Sequence, residues 1–224
     1  MSHPVRVLPP LWSVLLALLS SMSFAGGPAM AQSADPEAGE WAFAATLDGK
    51  PIGTHRFVVR GTSSSREVDS SAQLLVRVLG IPVYRYGHQA QERWQGDCLR
   101  DLKSQTDDDG KPVRVDKRIE GDCMMSFAYW NPRLPTQQRL VNPQTGMAEP
   151  VRIEPLPDAD IEVRGRTVPA RGWLLQAATQ RIRVWYAIQG GRWIALDAEV
   201  SGGRTLSYRL PPVTPPALND KDKP

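Results

Sequence analysis

Two side chains near the middle of the chain could move a proton between them. His88 and Glu92 fall on the same alternating face as Tyr84, Tyr86, Ala90 and Trp94, and an imidazole with a carboxylate is a general acid–base pair. The spacing works against it. Each strand residue rises roughly 3.3 Å, so positions four apart lie about 13 Å from each other. No serine sits in a Gly-x-Ser-x-Gly elbow, and the histidines lack metal-ligand spacing. The expectation is a protein that is not an enzyme, with His88 the only anchor for an enzymatic alternative.

The only cysteines are Cys98 and Cys123. They read as a structural disulfide if the chain leaves the cytoplasm. A redox or metal-binding pair is the alternative, although no Cys-x-x-Cys spacing is present. Asp107-Asp108-Asp109-Gly110 invites a calcium reading, but the full loop spacing and its terminal Glu are missing. Asp-Gly instead suits a tight hairpin turn. No metal and no cofactor are expected.

Aromatic residues supply the other chemistry, which is binding. Tyr84, Tyr86 and Trp94 share a strand face, and Phe127, Tyr129 and Trp130 crowd a later apolar stretch. A ligand pocket needs such a lining together with a few polar fixing groups. Arg85, His88 and Asn131 are the candidates to hold a head group. The expected ligand is a lipid or another apolar small molecule. The same strand face equally suits a core strand whose far end reaches solvent. The formal net charge is only +3, with acids and bases interleaved as in Arg114-Val115-Asp116-Lys117-Arg118-Ile119-Glu120. Nucleic acid, which calls for a clustered basic face, is not an expected partner.

Strands must position these groups. Trp41, Phe43, Ala45 and Leu47 alternate before the turn Asp48-Gly49-Lys50-Pro51. Strands are predicted at 52–60, at 68–78 with Val68, Ser70, Ala72, Leu74, Val76 and Val78 on one face, and at 83–95. A hairpin is predicted from 98 to 120. Residues 123–135 break the alternation and read as a short helical or loop cap. Later strands are predicted at 149–154, 161–168, 172–177, 181–188, 193–201 and 204–210. Ile182, Val184, Tyr186 and Ile188 are expected on one face, and Ile194, Leu196, Ala198 and Val200 on another. The fold class is therefore mainly β: a single antiparallel curved sheet that closes into a barrel or half-barrel and so limits its exposed edges.

The ends predict export. Arg6 precedes the apolar run Leu11–Leu19, and Ala29-Met30-Ala31 supplies small residues for cleavage after Ala31. Residues 1–31 read as a signal peptide, 32–39 as a flexible segment, 40–210 as the β-rich domain, and 211–224 as a disordered tail rich in proline and charge. The apolar run falls short of the roughly 20 residues that span a bilayer. No cysteine follows the small-residue site, so no transmembrane or lipid anchor is expected after cleavage. The predicted location is the periplasm. A non-catalytic envelope module that meets a protein partner is the alternative function.

Several stretches resemble a known family: Leu47-Asp48-Gly49-Lys50-Pro51-Ile52-Gly53-Thr54-His55, Leu79-Gly80-Ile81-Pro82-Val83-Tyr84-Arg85-Tyr86, Glu92-Arg93-Trp94-Gln95-Gly96-Asp97-Cys98-Leu99, and Ser126-Phe127-Ala128-Tyr129-Trp130-Asn131-Pro132. Together they are similar to the DUF6134 proteins, secreted proteobacterial proteins without an assigned activity. A weaker likeness runs to DUF3108 proteins and, at fold level, to the half-barrels of periplasmic lipoprotein carriers. That likeness implies an open barrel around an apolar cavity.

Overall fold

The computed structural model describes residues 38–212. The expected signal peptide (1–31), most of the segment 32–39 and most of the tail 211–224 lie outside the described residues.

The first described strand lies in the middle of the large sheet, and the next five wind outward from it. Strands β1 (Gly39–Leu47), β2 (Lys50–Thr62), β3 (Ser65–Val78), β4 (Ile81–Gln95), β5 (Cys98–Asp108) and β6 (Lys111–Arg118) pair in sequence, all antiparallel. A crossover of irregular chain follows. It holds β7 (Met125–Ser126), β8 (Arg139–Val141) and β9 (Ala148–Pro150), which form a small separate sheet. A single 3-10 turn, Leu134–Thr136, lies between β7 and β8. The chain then resumes the large sheet with β10 (Arg152–Pro155), β11 (Ala159–Val163), β12 (Arg166–Gln176), β13 (Arg181–Ala187), β14 (Trp193–Val200) and β15 (Arg204–Arg209). β15 docks on the free side of β1. The sheet order is β10-β12-β13-β14-β15-β1-β2-β3-β4-β5-β6, with β11 also paired to β12.

Two contacts show that this sheet curls. Five pairing steps separate β14 from β4, about 24 Å on a flat sheet. Yet the consecutive residues Tyr129 and Trp130 reach both strands: Tyr129 meets Trp193 of β14 at 5.5 Å between ring centres, and Trp130 meets Trp94 of β4 at 5.3 Å. The crossover therefore lies across a concave face. Here the structure decides between the two expected closures. β6 has no pairing to β10 or β11, so the sheet is a half-barrel and not a barrel.

The alternation predicted for β1 is seen directly, with Trp41, Phe43, Ala45 and Leu47 all buried. Three later expectations need correction. Residues 161–168 are not one strand, because Arg164 and Gly165 turn the chain there with positive φ at both positions. Residues 149–154 divide at Val151 between two sheets. The face expected for 182–188 holds at Ile182, Val184 and Tyr186, all buried, but β13 ends at Ala187 and leaves Ile188 half exposed.

Candidate functional site

The pairing register lays inward side chains in rows across the strands. Ala72 links His55 and His88 in one row, which continues to Thr106. The two imidazoles stand two strands apart, about 10 Å. The next row carries Ala45, Gly53, Leu74, Tyr86 and Asp108. Gly53 is required there, since a Cβ would overlap the Gln73 carbonyl. On the other wing, Tyr208 pairs with Leu196, and Leu206 with Ala198.

The crossover fills only one end of this concave face. Phe127 to Trp130 pack over Trp94, Leu99 and Leu102, and all seven belong to the core or its buried edge. The Cys98–Cys123 disulfide fixes the start of the crossover to β5. Leu99 N–H donates to the Met124 carbonyl beside it at 2.8 Å. Asn131 is fully buried; its Nδ2 donates to Asp97 Oδ1 at 3.1 Å, and its Oδ1 accepts from Arg133 N–H at 2.9 Å. Arg133 pairs with the same Asp97 at 2.9 Å. The Ser126–Pro132 stretch is thus a clamp that ties the cap to the β4–β5 turn.

Toward the other end, where the hairpin turns gather, the face is hollow. A cleft of about 1350 Å³ opens there. Ile52, His55, Leu74, Val76, Tyr86 and His88 line one wall, and Ile182, Leu196, Ala198, Leu206 and Tyr208 the other. Phe127, Tyr129 and Trp130 close its inner end, and Val83 and Tyr84 stand at its mouth. Six of the residues singled out from the sequence therefore meet around one space: Tyr84, Tyr86, His88, Phe127, Tyr129 and Trp130. Three do not. Arg85 lies exposed on the outer face, where its backbone N–H donates to Asp109 Oδ1 at 3.3 Å. Trp94 is sealed beneath the cap and Asn131 is held in the clamp. Strand parity explains Arg85, which neighbours two inward tyrosines and so must face outward.

Sequence reasoning passed over His55 and Tyr208. His55 Nδ1 lies 3.1 Å from the Tyr208 hydroxyl, and its ring stacks on Phe57 at 4.0 Å. Its Nε2 is buried without a hydrogen-bond partner. The signal was His55 alternating with Phe57 and Val59. What remained hidden was that β15 would fold back beside β1 and bring Tyr208 within reach.

Electrostatically the cleft is close to neutral. Burial, with a smaller contribution from His88, pushes His55 down to about 3. Burial takes His88 down to about 4, and its Nδ1 lies 2.8 Å from Thr106 Oγ1. Burial pushes Glu92 up to about 7, against hydrogen bonds from Ser126 and Trp94 that favour the anion. Tyr86, Tyr129 and Tyr208 are all raised by burial. His88 and Glu92 have separate partners, Thr106 for one and Trp94 with Ser126 for the other. Among the described residues no group of three or more His, Cys, Asp or Glu side chains could hold a metal ion.

No curated protein matches this chain. Among solved structures it is similar to the hypothetical protein CT021 from Chlamydia trachomatis, with 12% identity and a TM-score of 0.40 over 80% of this chain and 94% of that one. The family model described as "Domain of unknown function (DUF6134)" matches residues 43–211, from β1 through the cap to the end of β15. The chain belongs to the DUF6134 family.

Proposed function

We propose that this protein is exported to the periplasm and binds an apolar ligand, a lipid acyl chain by preference, in the cleft at the hollow end of its sheet. The observation that carries the reading is the unfilled space of about 1350 Å³ between two apolar walls. Interiors normally pack to crystal density, and typical small-molecule clefts hold roughly 300–1,000 Å³. A long ligand suits this space better than a compact metabolite. The buried groups in its walls, His55, His88, Tyr86, Tyr129 and Tyr208, are held neutral, which disfavours a charged group deep in the cleft. Export rests on the Arg6–Ala31 sequence pattern.

The test is extraction of the protein purified from its own host, with mass spectrometry of the extract, followed by titration with a fluorescent fatty acid. Co-purifying lipid and saturable binding are expected. A protein that yields no lipid and gives no fluorescence change overturns the reading.

A further inference from the structure

The hairpin β3–β4 reaches past every neighbour. Pairing between β2 and β3 stops at Gly53 and Leu74, and pairing between β4 and β5 stops at Tyr86 and Asp108. Apart from the bonds of Tyr84 and Arg85 to Asp108 and Asp109 at its base, residues 75–85 therefore form a two-stranded projection without a neighbouring strand. From Leu74 to the turn it extends about 13 Å. An isolated hairpin is marginal in water, and this one is also apolar at its tip. Val78 is 55% exposed, Leu79 97%, Ile81 65% and Val83 51%. The other large apolar side chains exposed among the described residues, Val113, Met147 and Ile188, are scattered.

The tip breaks a pattern that the chain follows elsewhere. Four two-residue hairpin turns place both central residues at positive φ: Asp48-Gly49, Leu79-Gly80, Asp109-Gly110 and Arg164-Gly165. Such turns favour Asn or Asp at the first central position. Three of them carry a polar residue there, as water demands. The fourth carries Leu79, at φ 52° and almost wholly exposed. That choice costs the free protein both backbone strain and solvation, so it points to an apolar surface met by the tip.

We propose that the Leu75–Arg85 projection docks the mouth of the cleft on a phospholipid bilayer, with Leu79 and Ile81 entering the acyl boundary. The dimensions fit, because interfacial elements bury their apolar face by about 5–10 Å. Tyr84 then stands at head-group depth, where aromatic residues with a polar tip concentrate. No acid occurs between Leu74 and Gly87, whereas Arg77 and Arg85 do, so the projection itself complements lipid phosphates. Asp108 and Asp109 touch only its base, through the Tyr84 hydroxyl and the backbone N–H and carbonyl of Arg85. The apolar tip presents four exposed aliphatic side chains, Val78, Leu79, Ile81 and Val83, far short of the roughly 20–30 residues that each partner gives to a stable protein complex. Val76, Val83 and Tyr84 belong both to the projection and to the cleft lining, so docking would place the opening against the lipid. The docking stands on the tip itself; only its use in ligand exchange rests on the cleft holding a lipid.

The experiment is co-sedimentation of the exported, purified protein with vesicles of phosphatidylethanolamine and phosphatidylglycerol, alongside its Leu79→Asn and Ile81→Thr variants. Asn suits the turn and Thr suits the strand, so both variants should keep the wild-type melting temperature or exceed it. Vesicle partitioning should fall by about tenfold in Leu79→Asn and severalfold in Ile81→Thr, as expected for losing one buried aliphatic side chain. Wild-type protein that does not sediment, or variants that sediment equally well, overturn the proposal. Self-association without vesicles that Leu79→Asn abolishes assigns the tip to a protein contact and overturns it as well. Docking by a protein with an empty cleft refutes the ligand reading alone. Ligand-loaded protein that ignores vesicles refutes docking alone.

Discussion

The two ends of the concave face are built from the same strands, yet one is solid and the other hollow. At the solid end Trp41, Phe57 and Phe43 surround Trp193, and Trp130 seals Trp94. At the hollow end Leu74, Val76, Ala198 and Leu206 face open space. Residue type does not separate them, since both are apolar and strand-forming. The difference is that the crossover from β6 to β10 passes over one end only. A curled sheet supplies two walls everywhere, but a third layer exists only where chain is available to make it.

The largest expected effect comes from emptying the solid end. Trp193→Ala should cost roughly 3–5 kcal/mol, as buried aromatic truncations do, measured by urea unfolding; a loss below about 1 kcal/mol would erase the distinction between the ends. The disulfide sharpens the same comparison, because it anchors the filling segment. Replacing Cys98 and Cys123 by serine should cost about 3 kcal/mol for a loop of 25 residues and raise protease cutting between 119 and 135 above that elsewhere.

Glu92 lies where the two ends meet, and its effect depends on pH. Its folded-state value of about 7 exceeds the ordinary 4.5, so the folded state holds the extra proton between those values. Stability contributed by Glu92 is full below pH 4.5, falls as pH rises toward 7, and stays low above. Glu92→Gln should therefore match wild type near pH 4 and exceed it by roughly 1–3 kcal/mol at pH 8. Melting curves at the two pH values check this, and equal differences at both would contradict the sign. Adding atoms separates the two ends most directly, and its smaller half is the smallest effect. Ala90→Leu, in the packed core, should cost about 1–3 kcal/mol by overpacking. Ala198→Leu, in the cleft wall, should cost under about 1 kcal/mol and weaken fatty-acid binding.

Much of the fold was legible in the residues because a half-buried strand writes its burial as a period of two. The inward faces of β1, β3 and β4 could be read in this way, and Asp109-Gly110 announced its hairpin. The turn at Arg164-Gly165 could not be read, since Arg carries none of the local hydrogen bonding that marks Asp or Asn in the same geometry. The site was half legible for a related reason. Parity placed Tyr84, Tyr86 and His88 together, but parity cannot tell an apolar side chain that faces a cavity from one that faces a packed neighbour. Trp94 and Tyr86 share a face, and only the path of the crossover puts the first under a cap and the second beside open space.

The sequence by itself determined an antiparallel β fold, the inward faces of its long strands and a cysteine pair suited to a disulfide. These follow from local periodicity and turn chemistry, which need no distant partner. Tertiary structure alone decided that β15 returns to β1, that the sheet stays open as a half-barrel, and that His55 meets Tyr208 across 153 residues. It alone left one end of the concave face unfilled, because packing density depends on which distant segments arrive at a surface.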